Sequence, residues 1–440
     1  MESLTIMPGH PLEGTISVPG DKSITHRAII LTALANGTST VGRYCRGEDC
    51  LNTIRAFQAL GVRIDESINE LHVHGKGLWG LTEASGPIDC GNSGTGIRLL
   101  TGLLAGQDFF TVLTGDESIR RRPMGRIVKP LREMGANIAG RKGGEFAPLA
   151  VTGGRLRAMT YASPVASAQV KSALLLAALF AEGTTRITEP RLSRDHTELL
   201  FGFFGIALRR EGRTLLIEGR PSVGWNATPR LVVPGDLSAA AFFIVGATIV
   251  PGSDVTIQQV GINPTRTGLL EVLTNMGADI QLLNRREEAG EPVADIRVKS
   301  ARLHGVAIGA DLIPRTIDEF PILCVAAAVA DGETIISGAE ELRVKESDRI
   351  ATVSAGLRAM GAQITEKPDG MVVQGLGTAV ENGRLQTARG QSYGDHRVAM
   401  SLAIAGLTAP APTVIDGTAC IETSFPDFHH TLLELLGERR

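Results

Sequence analysis

Aromatic side chains are scarce: Phe, Trp and Tyr make up 4% of the chain. Proteins that hold single-stranded nucleic acid stack bases on exposed rings, so such a partner is not expected. Neither sign of charge dominates either, with 44 Lys and Arg against 47 Asp and Glu for a net −3. A general polyanion binder carries a basic excess, so any anion site here must be built locally. The cysteines (Cys45, Cys50, Cys90, Cys324 and Cys420) form no C-x-x-C pair. That excludes the usual zinc spacing and suits a reducing compartment. Apolar stretches such as Ser172–Ala181 fall short of the roughly 20 residues of a membrane span. The opening Met1-Glu2-Ser3 has an acid where a signal peptide is basic. A cytoplasmic protein is expected.

What the chain does have is length and repetition. Its 440 residues, 43% hydrophobic and 21% charged, suit a folded chain of two or three domains. One kind of segment recurs six times: a small or polar opening, then an Ala- and Leu-rich run that is apolar nearly all round. The copies are Lys22–Ala35, Ser93–Ala105, Ser167–Ala181, Ser238–Val250, Asp318–Ala330 and Asp395–Leu407. A second, more polar helix alternates with it and ends in a bulky residue plus glycine: Leu60-Gly61, Met134-Gly135, Phe204-Gly205, Met276-Gly277, Met360-Gly361 and Leu436-Gly437. The glycine fits a C-cap position that needs positive φ. An all-apolar helix is buried on every side, whereas a helix with one polar face covers the outside. Six units are therefore expected, each with two helices and several strands. Val18-Pro19-Gly20-Asp21 precedes the first buried helix, and Val233-Pro234-Gly235-Asp236 precedes the fourth. Entry segments matched three units apart predict two lobes of three units, with the first strand in the C-terminal lobe.

The openings of the buried helices carry the unusual residues. A helix N-terminus has unsatisfied N–H groups and a partial positive charge, which attract anions. The first opening, Asp21-Lys22-Ser23-Ile24-Thr25-His26-Arg27, sets two cations and a hydroxyl there; a solvated basic face is the bland alternative. Gly91-Asn92-Ser93-Gly94-Thr95-Gly96, followed by Arg98, allows close approach to backbone N–H groups but lacks the Gly-Lys-Ser/Thr ending of a P-loop. Arg120, Arg121, Arg122 and Arg126 crowd the entry to an outer helix, where the dipole disfavours cations unless anions arrive; a salt-bridged surface loop competes with that reading. Ser167, Gln169, Lys171 and Ser172 are polar groups on an apolar helix, and a hydroxylated ligand could partner them. Ser167 serves equally well as a cap. Arg194 is a ligand candidate, and His196 reads as a surface histidine. Asp318 is an acid at the opening of an Ala- and Val-rich helix, a candidate site residue that a plain N-cap explains equally well. The run Arg343–Arg349 is dense in charge, and Arg397 at the start of a buried helix calls for a counter-anion.

Several of these strings, taken in order, closely resemble the 5-enolpyruvylshikimate-3-phosphate (EPSP) synthase family, in a divergent subgroup. They are Pro19-Gly20-Asp21-Lys22-Ser23 with His26-Arg27, Gly91-Asn92-Ser93-Gly94-Thr95, and Arg122-Pro123-Met124-Gly125-Arg126. With them go the run from Leu342 to Arg349, the run from Asp395 to Met400, and Ser424-Phe425-Pro426-Asp427-Phe428. The resemblance implies an α/β fold: a two-lobe inside-out α/β barrel with six βαβαββ-type repeats, three per lobe. The expected lobes are 1–21 plus 237–440, and 22–236, with the active site in the cleft between them. It also implies an enolpyruvyl transferase of the shikimate pathway, towards chorismate and aromatic amino acids. The small-molecule partners are shikimate 3-phosphate and phosphoenolpyruvate, with no nucleic acid, membrane, metal or cofactor, and a monomer is expected. Lys22, Ser23, Arg27, Ser167, Ala168, Gln169, Arg194, Asp318 and Lys345 would hold shikimate 3-phosphate. Lys22, Gly94, Arg122, Gln169, Arg349 and Arg397 would hold phosphoenolpyruvate. Asp318, Glu346 and Lys22 would move protons.

Three positions depart from the family pattern. Thr423 stands where a lysine is usual, Ala168 replaces the second serine of Ser-Ser-Gln, and Leu99 replaces a proline. A hydrogen at the Gly94 Cα leaves room for inhibitors slightly longer than phosphoenolpyruvate, such as glyphosate. The rival transferase acting on UDP-N-acetylglucosamine usually carries a cysteine in the loop where this chain has Asp116–Arg122. A non-catalytic sensor of phosphorylated metabolites is disfavoured by Asp318 and Glu346, because acids repel an anionic ligand unless they handle protons.

Overall fold

The computed structural model describes residues 2–220, 224–377 and 385–437. The chain is α/β and divides into two compact units. One comprises Met1–Pro19, Pro234–Arg286 and Pro292–Arg440, and the other comprises Gly20–Val233 and Glu287–Glu291. Each has its own hydrophobic core. The sequence grouped 287–291 with the C-terminal lobe. The contacts put it in the second unit, where Ala289 packs against that unit's core.

The six apolar segments form helices at Lys22–Ala33, Gly94–Leu104, Ala168–Ala178, Leu237–Ile249, Phe320–Val329 and His396–Gly406. In Leu237–Ile249 only the last residue escapes full burial, as expected of a helix with no polar face. The polar partners are Glu48–Ala59, Gly125–Glu133, His196–Phe203, Gly268–Asn275, Arg349–Ala359 and Phe428–Leu435. The glycine that follows each is left-handed, with φ of +85° at Gly61 and +100° at Gly277. That conformation ends a helix without a Cβ clash.

Among the described residues, strand pairing follows one pattern in six of seven sheets, the seventh being the two-stranded parallel pair of Leu156–Arg157 and Ala181–Glu182. Leu231–Val232 runs parallel to Asn36–Gly42, which pairs antiparallel with Glu70–Lys76, which pairs antiparallel with Arg63–Glu66. Four other sheets have the same strand order, and a sixth has three strands, Ser3–Ile6, Thr413–Asp416 and Arg389–Gln391. In all six a short or edge strand lies parallel to its neighbour, which is antiparallel to the next. Alternating burial, such as eBeB along Glu333–Ile336, marks strands with one face on the core. Among the described residues no helix is long and apolar enough to cross a membrane.

Candidate active site

In the second unit, side-chain hydrogen bonds join the openings of all three buried helices. Asp21 caps the first helix by accepting from the Ile24 amide at 2.9 Å. This cap sets Lys22 at the first helical position, where its Nζ donates to Asp49 Oδ2 at 2.9 Å. His26 lies 2.7 Å from Thr53 Oγ1 and 3.4 Å from Ser93 Oγ. Burial, then Lys22 and Arg27, push the His26 pKa far down, so the ring is neutral and serves as a spacer between two helices.

Ser93 caps the second helix through the Gly96 amide at 2.9 Å. Gly94, just inside, faces two guanidinium groups: a Cβ there would lie 2.9 Å from both Arg122 Nη1 and Arg98 Nη1. Arg98 donates to Gln169 Oε1 at 2.9 Å, and Gln169 Nε2 donates to Thr95 Oγ1 at 3.0 Å. Gln169 thus ties the third opening to the second. Ser167 does cap that third helix, accepting from the Val170 amide at 3.4 Å, and Ala168 is its first helical residue. Leu99 sits inside the second helix, fully buried, with the N–H that a proline would lack.

Arg27 is 4% exposed. Its Nε donates to Thr197 Oγ1 at 2.7 Å, one Nη to Ser172 Oγ at 2.8 Å and the other to the Ser23 carbonyl at 2.8 Å. Burial brings its pKa down to about 10, against the opposing pull of Glu198, Asp21 and Glu291, so it remains charged at neutral pH. Arg194 is half-buried before the helix His196–Phe203 and acts on Arg27 as a like charge.

Three expectations need correcting here. His196 is not a surface histidine: it is 2% exposed and lies 2.6 Å from Glu291 Oε1. Lys171 and Ser172 do not wait for a ligand, because the protein partners them itself. Lys171 Nζ meets Glu189 at 2.9 Å and Glu198 at 2.8 Å, and Ser172 meets Arg27 and Thr197. Nor do the four arginines all crowd one helix entry. Arg120 and Arg121 end a short helix of their own, Glu117–Arg121, where the dipole favours cations, and Arg121 pairs with Glu117. Only Arg122 is buried, at the edge of Gly94.

In the first unit the openings also converge. Ser238, at the start of the fourth buried helix, donates to Glu319 just before the fifth, and Arg266 joins both. Asp318 is not an N-cap. The fifth helix begins at Phe320 after Glu319, and Asp318 turns to two arginines instead: its carboxylate lies 3.4 Å from Arg349 Nη1 and 3.9 Å from Arg397 Nη2. Arg349, 1% exposed, is the hub. Its Nε donates to Asp395 Oδ2 at 2.9 Å and its Nη2 to Glu346 Oε2 at 2.7 Å. Burial opposes this charge, yet Asp395, Glu346 and Asp318 together hold the Arg349 pKa above the ordinary arginine value. Arg397 is the second residue of the sixth helix and is 7% exposed. Lys345 follows the short 3-10 helix Glu340–Val344, half-buried. Thr423, where a lysine was looked for, ends a second 3-10 helix, Thr418–Thr423.

Sequence reasoning passed over Asp49, Asp395 and Thr197. Asp49 reads as an ordinary acid in a first helical turn. Asp395 was part of a recognised string but received no role. Thr197 carries no signal that separates it from any helical threonine.

Chemically, the second unit presents Lys22, Arg122 and the Gly94 backbone for anions. The first unit presents two carboxylates, Asp318 and Glu346, fixed on one guanidinium with a second cation adjacent. Paired acids held by arginines suit proton transfer at a substrate whose negative charge the arginines offset.

Known proteins resemble the chain over its whole length. The family model for EPSP synthase (3-phosphoshikimate 1-carboxyvinyltransferase) matches residues 6–432. A 3-phosphoshikimate 1-carboxyvinyltransferase of Geobacter sulfurreducens is 54% identical over 428 residues, 97% of this chain and 98% of the relative. The counterpart from Geobacter metallireducens is 52% identical and covers 100% of both. Among solved structures, EPSP synthase from Acinetobacter baumannii superposes with a TM-score of 0.87 at 44% identity, covering 99% of this chain and 98% of that one. The enolpyruvyl transferase NikO from Streptomyces tendae shares the fold at 16% identity, with a TM-score of 0.78 and coverage of 99% and 97%.

Proposed function

We propose that this chain, which belongs to the EPSP synthase (3-phosphoshikimate 1-carboxyvinyltransferase) family, transfers the enolpyruvyl group of phosphoenolpyruvate to the 5-hydroxyl of shikimate 3-phosphate and releases phosphate. The two units correspond in this reading to the lobes of an inside-out barrel, three repeats each. The shared strand order of the sheets and the superposition on an EPSP synthase support it.

The reaction is an addition followed by an elimination. The substrate hydroxyl adds to C2 of phosphoenolpyruvate while C3 takes a proton. The tetrahedral intermediate then loses a proton from the new methyl group together with phosphate. Asp318 takes the hydroxyl proton, while Glu346 and Lys22 serve the transfers at the enolpyruvyl carbon. Lys22, Ser23, Arg27, Ser167, Ala168, Gln169, Arg194, Asp318 and Lys345 bind shikimate 3-phosphate. Lys22, Gly94, Arg122, Gln169, Arg349 and Arg397 bind phosphoenolpyruvate. Cations fixed before substrate arrives offset developing charge without reorganising, and holding both reactants in reacting geometry removes much of the entropic barrier.

The single observation that carries this reading is the placing of Asp318 and Glu346 on one buried arginine, which sets two acids side by side on a single guanidinium. A phosphate-release assay tests it. Phosphate should appear only when shikimate 3-phosphate and phosphoenolpyruvate are both present. Release with UDP-N-acetylglucosamine in place of the shikimate ester, or none with any acceptor, would overturn the assignment.

Gly94 supplies a further prediction. An alanine methyl would press on Arg122 and Arg98 at 2.9 Å, in the space an inhibitor longer than phosphoenolpyruvate must use. Glyphosate should compete with phosphoenolpyruvate, and Gly94→Ala should raise its inhibition constant at least about tenfold, some 1.4 kcal/mol. Inhibition titrations of the two forms check this, and equal constants would remove Gly94 from the phosphoenolpyruvate site.

A further inference from the structure

Glu287–Glu291 is the turn of a long hairpin formed by Asp279–Glu288 and Glu291–Lys299, and these residues belong to the second unit. The turn is sharply defined. Ala289 and Gly290 both have positive φ, +51° and +79°, the pairing of a tight two-residue hairpin loop. It is seated on the helix His196–Phe203 at two points. A Cβ on Gly290 would lie 3.2 Å from the Leu199 carbonyl, and Glu291 Oε1 meets His196 Nδ1 at 2.6 Å. Both members of that pair are at most 2% exposed.

We infer that Glu291 is a positioning residue for shikimate 3-phosphate: through His196 it fixes the first turn of the helix that holds Arg27. This rests on the functional reading above, in which Arg27 binds that ester. The helix has eight residues, and its N-cap Asp195 makes no side-chain capping bond. So short a helix is marginal by itself, and its first turn is anchored from outside at two points, Lys171 on Glu198 and Glu291 on His196. Thr197, next to His196, accepts from Arg27 Nε at 2.7 Å and meets Ser172 Oγ at 2.7 Å. Ser172 in turn accepts from Arg27 at 2.8 Å. Two hydroxyls therefore set the plane of the guanidinium, and one of them is only as fixed as the turn that carries it. Buried hydrogen-bond partners of this kind set the orientation of a ligand-binding group.

A through-space effect would have the opposite sign. Glu291 is one of the carboxylates that act on Arg27, so removing its charge alone should tighten the binding of an anion. The test compares Glu291→Ala, which removes the acceptor, with Glu291→Gln, which keeps an acceptor for His196 and removes the charge. Expected for the alanine variant is a KM for shikimate 3-phosphate raised about tenfold. Its kcat and its KM for phosphoenolpyruvate should stay within about twofold of wild type, and the glutamine variant should restore the shikimate 3-phosphate KM to that same range. An unchanged KM in the alanine variant, a lower KM in both variants, or a joint loss in kcat and both KM values would overturn the proposal. Should the alanine variant fail to fold, His196→Ala is read by the same criteria. Calorimetric titration of wild type with shikimate 3-phosphate separates the two levels. If wild type neither binds the ester nor releases phosphate, the functional reading fails. If it does both while Glu291→Ala binds the ester equally well, only the role of Glu291 fails.

Discussion

Asp318→Asn should lower kcat about a thousandfold, the upper range for loss of a positioned general base, and leave the fold intact. The two halves of that expectation come from the same contacts. Asp318 lies 3.4 Å from Arg349 and 3.9 Å from Arg397, longer than the contacts Arg349 makes with Glu346 and Asp395, so neutralising it disturbs that arginine least. Arg349 keeps Asp395 at 2.9 Å and Glu346 at 2.7 Å when Asp318 is neutralised. Asparagine has the same shape and still accepts from an arginine, so stability should change by less than about 1 kcal/mol. It cannot take a proton at neutral pH. Steady-state phosphate release alongside thermal unfolding checks both halves. A loss of kcat below about tenfold would show that another group removes the hydroxyl proton.

The helices were largely legible because their signals are local. A run apolar on all sides, such as Leu237–Ile249, has only one comfortable environment, and Gly61 or Gly277 after a bulky residue has a backbone reason to be there. Strand pairing was not legible in the same way. The parallel pairing of Leu231–Val232 with Val41 and Gly42 joins segments almost two hundred residues apart, and two residues carry no periodicity. The seat of the Glu287–Glu291 turn was also hidden, since an alternating hairpin reads the same whichever core its tip meets.

The residues of the site were legible as types but not as partners. Lys22, Gly94, Arg122, Asp318, Arg349 and Arg397 stand out at helix openings. Their neighbours do not, because an acid in a first turn has an adequate local explanation. Asp49 beside Lys22 and Asp395 beside Arg349 both looked like ordinary helix-start acids. His196 failed for the complementary reason. A histidine next to charged residues looks exposed, and its buried partner, Glu291, arrives from ninety-five residues downstream. Long-range pairing of charge therefore separates what one sequence shows from what the folded chain does.

Asp395 is where that pairing matters most, and Asp395→Ala should cost both stability and turnover. The carboxylate is fully buried. It caps the sixth buried helix by accepting from the Arg397 amide at 2.9 Å, accepts from Ser347 Oγ at 3.1 Å, and holds Arg349 Nε at 2.9 Å. Losing the cap costs about 1 kcal/mol, and depriving a buried arginine of a partner costs about 3 kcal/mol more. Turnover should fall by about a hundredfold, because Arg349, freed on one side, no longer fixes Glu346 and Asp318. Asp395→Asn keeps a capping side chain and an acceptor but not the charge, so its loss of stability should be intermediate. Acid separates charge from shape. Burial alone would raise the Asp395 pKa, but the charge of Arg349 and its hydrogen bond hold the carboxyl below its ordinary value. The folded state then binds this proton less readily than the unfolded chain. The stabilisation is complete above the unfolded value of about 3.9 and is lost as pH falls through the lower folded one. Urea unfolding at neutral pH and near pH 3 should show the gap between wild type and Asp395→Asn narrowing in acid. A gap that stays constant would mean that the asparagine is penalised for its packing and that the Asp395–Arg349 ion pair contributes no net stability.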